Sequence, residues 1–255
     1  MNLKKSYLFI FIFLIGVIII FILTNHHITQ VPEEDIVALK TDDQEPVPAL
    51  TGIIICIDPG HGTYVQPEEE DTVETKPVFA LGTTGAHLTE SELNLIVSQK
   101  LKKELENLGA DVYMTREGDE ISMSNKERAL FANDLQADLC IKVHADGSDD
   151  PSFHGISVLV PKINQYEDTT VIENSAAAAF ILLEELVFIT NANGLGVVER
   201  ADLTGLNWSS VPVVLVEMGF MTNPEEDQKL ETDTYQNIIV QGMVNGVVRC
   251  FAKGI

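Results

Sequence analysis

The sequence of 255 residues is short of cysteine, and this shortage excludes two kinds of site. There are three cysteines, an odd number, and Cys56 and Cys140 lie in apolar runs where a thiol behaves as a small hydrophobic side chain. A disulfide framework is therefore not expected. The CxxC and CxxxC spacings of structural zinc sites are also absent from the sequence. Any metal in this protein must then be held by histidine and carboxylate ligands.

Basic residues are also few. Lysine and arginine number 16 against 39 aspartate and glutamate residues, which gives a formal net charge of -23. Such a charge repels phosphate backbones and anionic lipid surfaces, so the sequence predicts no nucleic-acid partner. The chain is nevertheless 45% hydrophobic and 22% charged, which is typical of a globular protein and not of a disordered one.

One long hydrophobic run stands near the N-terminus. Residues 7–23 are 17 uncharged apolar residues, against the roughly 20 that span a bilayer core. Lys4 and Lys5 precede the run and the next positive charge is Lys40, which places the N-terminus in the cytoplasm and the rest outside. No A-x-A-like cleavage site follows the run. We therefore expect residues 1–24 to be a cytoplasmic stub and an uncleaved membrane anchor, with a cleaved signal peptide as the alternative.

The next segment is predicted to be a linker. Residues 25–50 contain three prolines and six acidic residues without apolar periodicity, which indicates an acidic tether. A catalytic or binding domain is then expected over residues 51–255. Within it, residues 64–79 carry five acidic residues and are predicted to form a surface loop or insertion.

Apolar runs typical of strands alternate with helical patterns from residue 51 onward. This alternation predicts an α/β domain with a largely parallel, twisted sheet and helices on both faces. The predicted strands are at 53–58, 111–115, 138–145, 155–160 and 212–219, with a short one at GLGVV. The predicted helices are at about 124–136, 170–189 and 233–252, with a further one whose apolar face is Leu93, Val97, Leu101, Leu105 and Leu108.

Polar residues concentrate where the predicted strands end, which is where ligands bind in open α/β sheets. His61 lies in the turn IDPGHG after the first strand, and His144 ends the run IKVHAD. Glu217 lies inside an apolar strand, where an unpaired carboxylate has a raised pKa, and Glu90 begins a helix. Taken singly, each has an ordinary structural explanation. Together, two histidines and one carboxylate supply three zinc ligands, and a further glutamate can accept a proton from water, which indicates a hydrolase.

These residues resemble the zinc-dependent N-acetylmuramoyl-L-alanine amidases, which cleave bacterial peptidoglycan. The resemblance covers most of residues 52–252 and is carried by IDPGHG, HLTESELNL, TREGD, ERALFAN, ADLCIKVHAD and VPVVLVEMGFMTNPEED. It implies that His61, Glu90 and His144 are the zinc ligands and that Glu217 is the catalytic glutamate.

Glu92 stands two residues after Glu90, but the family pattern of a glutamate four residues before an Asn-Leu pair favours Glu90. Lys142 and Asp146 stand where the family more often has serine and asparagine. Lys142 is expected on the same face of its strand as His144, and Asp146 adds charge near the metal, so specificity or zinc affinity is expected to differ.

The resemblance implies hydrolysis of the amide that joins the lactyl group of N-acetylmuramic acid to L-alanine, with Glu217 transferring the proton. Two alternatives stay open: a membrane-anchored module that binds peptidoglycan without turnover, and a zinc peptidase acting on stem peptides. The H-x-x-E spacing of metallocarboxypeptidases weighs against the second, because it needs an acid where the sequence has Tyr64. A cysteine hydrolase using Cys140 and His144 fails, since residues four apart in a strand are about 13 Å apart.

Peptidoglycan is itself acidic, so local cations have to supply affinity for it. Arg200, Lys142 and Arg116 are the candidates by chemistry, and Arg116 and Arg128 also have structural interpretations. The expected location is the cell membrane, as a single-pass protein with the catalytic domain on the extracytoplasmic side. The sequence predicts no particular oligomeric state.

Overall fold

Strands and helices alternate along the described part of the chain, which is residues 48–64, 82–162 and 169–255 of a computed structural model. The strands are β1 (Ile54–Pro59), β2 (Thr63–Tyr64), β3 (Asp111–Met114), β4 (Glu120–Ile121), β5 (Leu139–Asp146), β6 (Ile156–Pro161), β7 (Gly194–Arg200) and β8 (Val213–Phe220). The helices are α1 (Glu90–Asn107), α2 (Asn125–Asp134), α3 (Thr169–Thr190), α4 (Thr204–Asn207), α5 (Pro224–Leu230) and α6 (Asp233–Ala252).

Six strands form the main sheet in the order β3-β1-β5-β8-β6-β7. Its strands β3, β1, β5 and β8 pair in parallel, β6 pairs antiparallel with β8, and β7 pairs in parallel with β6. The predicted α/β fold with a largely parallel sheet is therefore confirmed. The sequence did not indicate the reversed direction of β6 and β7, nor the small second sheet of β2 and β4.

Helices cover both faces of the main sheet, as expected, but the two faces are unequal. On one face α1, α3 and α6 pack on the sheet and on one another around the larger core. On the other face α2 and α4 cover a smaller core. Side chains alternate between the two faces along β1, so Ile55 and Ile57 enter the larger core while Cys56 enters the smaller core. The central strands are apolar on both faces for this reason.

Several predictions concern residues outside the described ranges. These are the membrane anchor at 1–24, the linker up to residue 47, and residues 65–79 of the acidic loop. Among the residues that the structure does describe, no helix combines the length and the apolar character that crossing a bilayer requires.

Candidate active site

The turn after β1 brings His61 to the carboxyl edge of the sheet. His61 has a backbone φ of 60°, and the preceding residue is Gly60. A Cβ atom on Gly60 would lie 2.3 Å from the ring of His144, so the absence of a side chain lets the turn approach that ring. The two imidazole rings consequently lie 4.9 Å apart between centroids, edge to face.

Arg116 holds this turn against the start of α1. Its Nε donates to the carbonyl oxygen of Pro59 at 3.1 Å, and its Nη2 donates to the carbonyl oxygens of Gly60 and Ser91 at 2.9 and 2.8 Å. The side chain is buried, and burial lowers the pKa of Arg116 to about 10. Arg116 therefore positions the segments that carry His61 and Glu90.

Capping of α1 decides which of two neighbouring glutamates faces the site. Thr89 caps the helix, since its Oγ1 accepts from the Glu92 amide at 3.3 Å while the Glu92 carboxylate accepts from the Thr89 amide at 2.8 Å. This reciprocal capping box holds the Glu92 carboxylate at the surface, against the Thr89 amide. Glu90, at the first helical position, is only 3% exposed and turns towards the two histidines.

The three residues converge on one point. Oε1 of Glu90 lies 3.0 Å from Nε2 of His61 and 3.0 Å from Nδ1 of His144, and the three candidate ligand atoms lie within 4.8 Å of one another. The other carboxylate oxygen accepts from the Thr83 amide at 2.8 Å, and Oε1 also accepts from the Ala145 amide at 3.2 Å. These bonds orient the Glu90 carboxylate towards the imidazole rings.

The protonation states of the cluster suit metal binding. Burial raises the pKa of Glu90, but hydrogen bonds to His144 and His61 outweigh this effect and hold the pKa well below its usual range. Burial lowers the pKa of His144 to about 4. At neutral pH the site therefore offers an ionised carboxylate and a neutral imidazole. Two imidazole nitrogens and one carboxylate oxygen match the donor set of catalytic zinc sites, so these residues fit the metal.

Glu217 is a second carboxylate of the same site with opposite surroundings. It lies on β8 directly beside His144 of β5 in the parallel register. Its Oε2 is buried and accepts no hydrogen bond from any described residue. Burial, with the nearby charges of Asp146 and Glu90, raises the pKa of Glu217 well above its usual range. A buried carboxyl group with a raised pKa in a cleft is typical of a catalytic acid or base.

A cavity of about 300 Å³ contains these groups. Its lining combines the candidate ligands and Glu217 with Asp146, Arg200 and an apolar wall of Leu159, Leu203 and Leu215. The structure therefore brings together all four site residues that the sequence indicated: His61, Glu90, His144 and Glu217.

Only one of the three candidate cations for substrate binding lines this cavity. Lys142 is buried and its Nζ contacts Oδ2 of Asp58, so this candidate cation is paired beneath the cavity and does not line it. Arg116 does not line the cavity either, because its guanidinium group donates hydrogen bonds to backbone carbonyl oxygens. Arg200 is the remaining candidate.

Asp58 joins the elements under the site, and no sequence pattern had singled it out. Asp58 is fully buried, and its Oδ1 accepts from Oγ1 of Thr115 at 2.6 Å and from Nη1 of Arg128 at 3.0 Å. With Lys142 on Oδ2, one carboxylate joins β1, β5 and α2. The available signal was an aspartate at the end of the apolar run IIICID, which needs buried partners.

Comparison with known proteins agrees with this geometry. The family described as N-acetylmuramoyl-L-alanine amidase matches residues 55–249. The amidase LytC of Bacillus subtilis is 31% identical over 216 residues, which are 83% of this chain and 38% of LytC. The amidase AmiA of Salmonella typhimurium is 27% identical over 259 residues, covering 87% of this chain and 84% of AmiA.

A solved structure has the same fold. The crystal structure of N-acetylmuramoyl-L-alanine amidase from Clostridium difficile 630 matches with a TM-score of 0.64 and 26% identity, over 78% of this chain and 97% of that one. The family match extends over most of the described residues and includes every candidate site residue. This chain therefore belongs to the N-acetylmuramoyl-L-alanine amidase family.

Proposed function

We propose that this chain hydrolyses the amide bond between the lactyl group of N-acetylmuramic acid and L-alanine in peptidoglycan, with zinc as cofactor. The observation that carries the proposal is the convergence of His61, Glu90 and His144 within 4.8 Å, in one cavity with Glu217. The family of the chain supplies the reaction class, and the site supplies the residues.

His61, Glu90 and His144 would hold the zinc ion. When bound, zinc supplies a Lewis acid that polarises the amide carbonyl and lowers the pKa of water. Amide hydrogens of Thr83 and Ala145 keep the Glu90 carboxylate directed at the histidine rings. Such support of a ligand by further hydrogen bonds fixes its orientation and basicity.

Glu217 performs the proton transfers in this proposal. Its Oε2 has no hydrogen-bond partner among the described residues, so it is available to accept a proton from the attacking water. The same carboxyl group then donates that proton to the departing alanine amine. A raised pKa suits both steps, because the group must gain and lose a proton near neutral pH.

The bond that is cut distinguishes the proposal from its alternatives. Purified peptidoglycan is digested with the zinc-loaded full chain, new amino termini are labelled, and the products are identified by mass spectrometry. An amidase releases stem peptides with a labelled N-terminal alanine and leaves the glycan strands intact. Single amino acids or shortened stems still attached to sugar would show a peptidase. If the protein sediments with the wall but cleaves no bond, it would be a non-catalytic module.

The metal is tested separately. The purified full chain should bind close to one zinc ion, and His144→Ala should remove most of it because a ligand is lost. His154→Ala is the matched control, since His154 is exposed and its ring Nδ1 contacts the Ser152 carbonyl oxygen. Metal analysis that finds equal zinc in the His144 variant and the wild type would reject the site.

We further propose that residues 1–24 anchor the chain in the cell membrane, with residues 51–255 on the extracytoplasmic side. The support is the run of 17 apolar residues that follows Lys4 and Lys5. An anchor of this kind would keep an amidase beside its insoluble substrate.

A further inference from the structure

Acidic residues outnumber basic residues in the lining of the candidate active-site cavity. Of the described residues that line it, Glu90, Asp146 and Glu217 carry carboxylates, and Arg200 alone carries a permanently charged cation. Zinc, when bound, would attract the amide carbonyl in the proposed reaction, so among the described residues that line the cavity Arg200 is left to attract a substrate carboxylate. The position of Arg200 therefore determines where an anionic group of the substrate can lie.

Arg200 is held by one edge of its guanidinium group. It ends strand β7, and it forms a bidentate pair with Asp202, from Nε at 2.8 Å and from Nη2 at 2.7 Å. A guanidinium group has five N–H donors, so three remain without a bond to any described residue. The Asp202 carboxylate thus orients Arg200 in advance, which lowers the entropy lost when a ligand binds.

Among the described residues, the remaining N–H donors of Arg200 form no hydrogen bond with the neighbouring carboxylates of the cavity. No hydrogen bond or ion pair joins Arg200 to Glu217 or Asp146 among the described residues, and Oε2 of Glu217 has no partner. Arg200 therefore has both the charge and the unused donors to bind a carboxylate of the substrate in the bidentate manner that guanidinium favours.

The substrate class can be named from distance and chemistry. In the proposed reaction L-alanine lies at the cleaved bond, and the next stem residue is a glutamate joined through its side chain, which leaves its α-carboxylate available. Two extended residues span about 7 Å. Glu217 and Arg200 line the same cavity of about 300 Å³, which places a cation for that carboxylate in the cavity where the bond is cut. The wall of Leu159, Leu203 and Leu215 is apolar enough for the intervening alanine.

We propose that Arg200 binds the α-carboxylate of the second stem residue, so that the enzyme prefers stems in which this carboxylate is free to stems in which it is amidated. The inference rests on the proposed function and adds a specificity to it. Arg200 acts here as a substrate-binding residue, separate from the proton transfer by Glu217.

The experiment compares two synthetic muramoyl tripeptides that differ only in a carboxylate or a carboxamide at that position. With the zinc-loaded full chain, KM for the free acid should be about 10-fold lower, as expected for charged hydrogen bonds. Arg200→Gln should raise KM for the acid by about the same factor and so remove the difference in KM between the two tripeptides. Arg249→Gln is the matched control, because it removes one positive charge from α6, where Arg249 pairs with Glu184 and Glu185.

A binding measurement separates this inference from the proposed function. Calorimetry of both tripeptides with Glu217→Gln, and with Glu217→Gln combined with Arg200→Gln, reads the preference without turnover. Arg200→Lys keeps the charge but loses the planar fork, so it should retain only part of the preference. Zinc content and thermal unfolding verify that each variant is folded.

The outcomes are distinct. Equal binding and equal KM of the two tripeptides in the wild type would overturn the inference. A loss of kcat on both substrates in Arg200→Gln, without a change in KM, would show that Arg200 acts through Glu217 and would also overturn it. If the wild type binds the free acid more tightly but cuts neither tripeptide, the proposed function fails while the assignment of Arg200 stands.

Discussion

Glu90 and Glu217 are carboxylates of one cavity that the protein surrounds in different ways. Glu90 accepts hydrogen bonds from two backbone amides and lies against two imidazole rings, and its pKa is depressed. Oε2 of Glu217 has no hydrogen-bond partner in the described part of the chain, and the pKa of Glu217 is raised. Two carboxylates whose environments push their pKa values apart take different roles in catalysis. Glu90 is suited to remain ionised, and Glu217 is suited to exchange protons.

The first prediction separates metal binding from proton transfer. Glu217→Gln should keep the zinc content of the wild type and lower kcat by about 100-fold or more, because the amide cannot accept a proton. Glu173→Gln, at an exposed position of α3, is the control and should change neither. Metal analysis and product formation are measured on the same samples. Near-normal turnover in Glu217→Gln would assign the proton transfer to another group.

The second prediction concerns pH and the metal-free chain. Because the pKa of Glu217 is raised by folding, its contribution to stability is fully present below the unfolded pKa near 4.5 and is lost as pH rises through the folded pKa. Glu217→Gln is uncharged at every pH and escapes this loss. With a chelator present to remove metal, the unfolding temperature of Glu217→Gln should therefore rise above that of the wild type as pH increases. A difference that stays constant with pH would contradict the raised pKa.

At the scale of elements, the site depends on how closely the turn after β1 approaches β5. Gly60→Ala should displace the His144 ring, since the new Cβ would lie 2.3 Å from it. We expect zinc affinity to fall by about 10-fold or more, as for other changes to the support of a ligand. Gly118→Ala is the matched control, because a Cβ there meets no atom within 4 Å. Equal zinc affinity in the two variants would show that the turn has room to relax.

Asp58 gives a prediction about how β1, β5 and α2 are joined. Asp58→Asn leaves Lys142 and Arg128 buried without a counter-charge, and should lower the free energy of unfolding by about 3–5 kcal/mol. Lys142→Ser should have a smaller effect, because Asp58 keeps its bonds to Arg128 and Thr115. Urea unfolding measures both. A larger loss in Lys142→Ser would assign the main stabilising contact to the lysine.

At the scale of the whole molecule, the proposed anchor at residues 1–24 gives a prediction about where the acidic domain is located. If residues 1–24 span the membrane, the protein should stay with membranes through an alkaline carbonate wash. Added protease should then remove the domain from intact cells that have been stripped of their wall. Recovery of a soluble form that begins near residue 25 would show instead that the segment is a cleaved signal peptide.

The order of strands along the chain and the main helices were predictable from the sequence, because each depends on local pattern. The four candidate site residues were marked by polar residues in apolar runs, and their roles were implied by the family resemblance. Apolar periodicity is set by which face of an element is buried, and it identified β1, β5, β8, α1 and α6. His61, Glu90, His144 and Glu217 stand in short motifs at the ends of those elements. The proximity of His61, His144 and Glu217 follows from parallel strands, whose carboxyl ends meet at one edge of the sheet, whereas Glu90 is brought there by the start of α1.

The tertiary structure decided what local pattern does not encode. The antiparallel pairing of β6 with β8 depends on contacts between residues about 60 apart in the chain, which periodicity does not report. The roles of the basic residues were decided in the same way. Lys142 and Arg200 are both cations on strands of the main sheet, yet packing buries the first against Asp58 and leaves the second in the cavity. Burial and partners assign their roles, and both arise only when distant segments pack together.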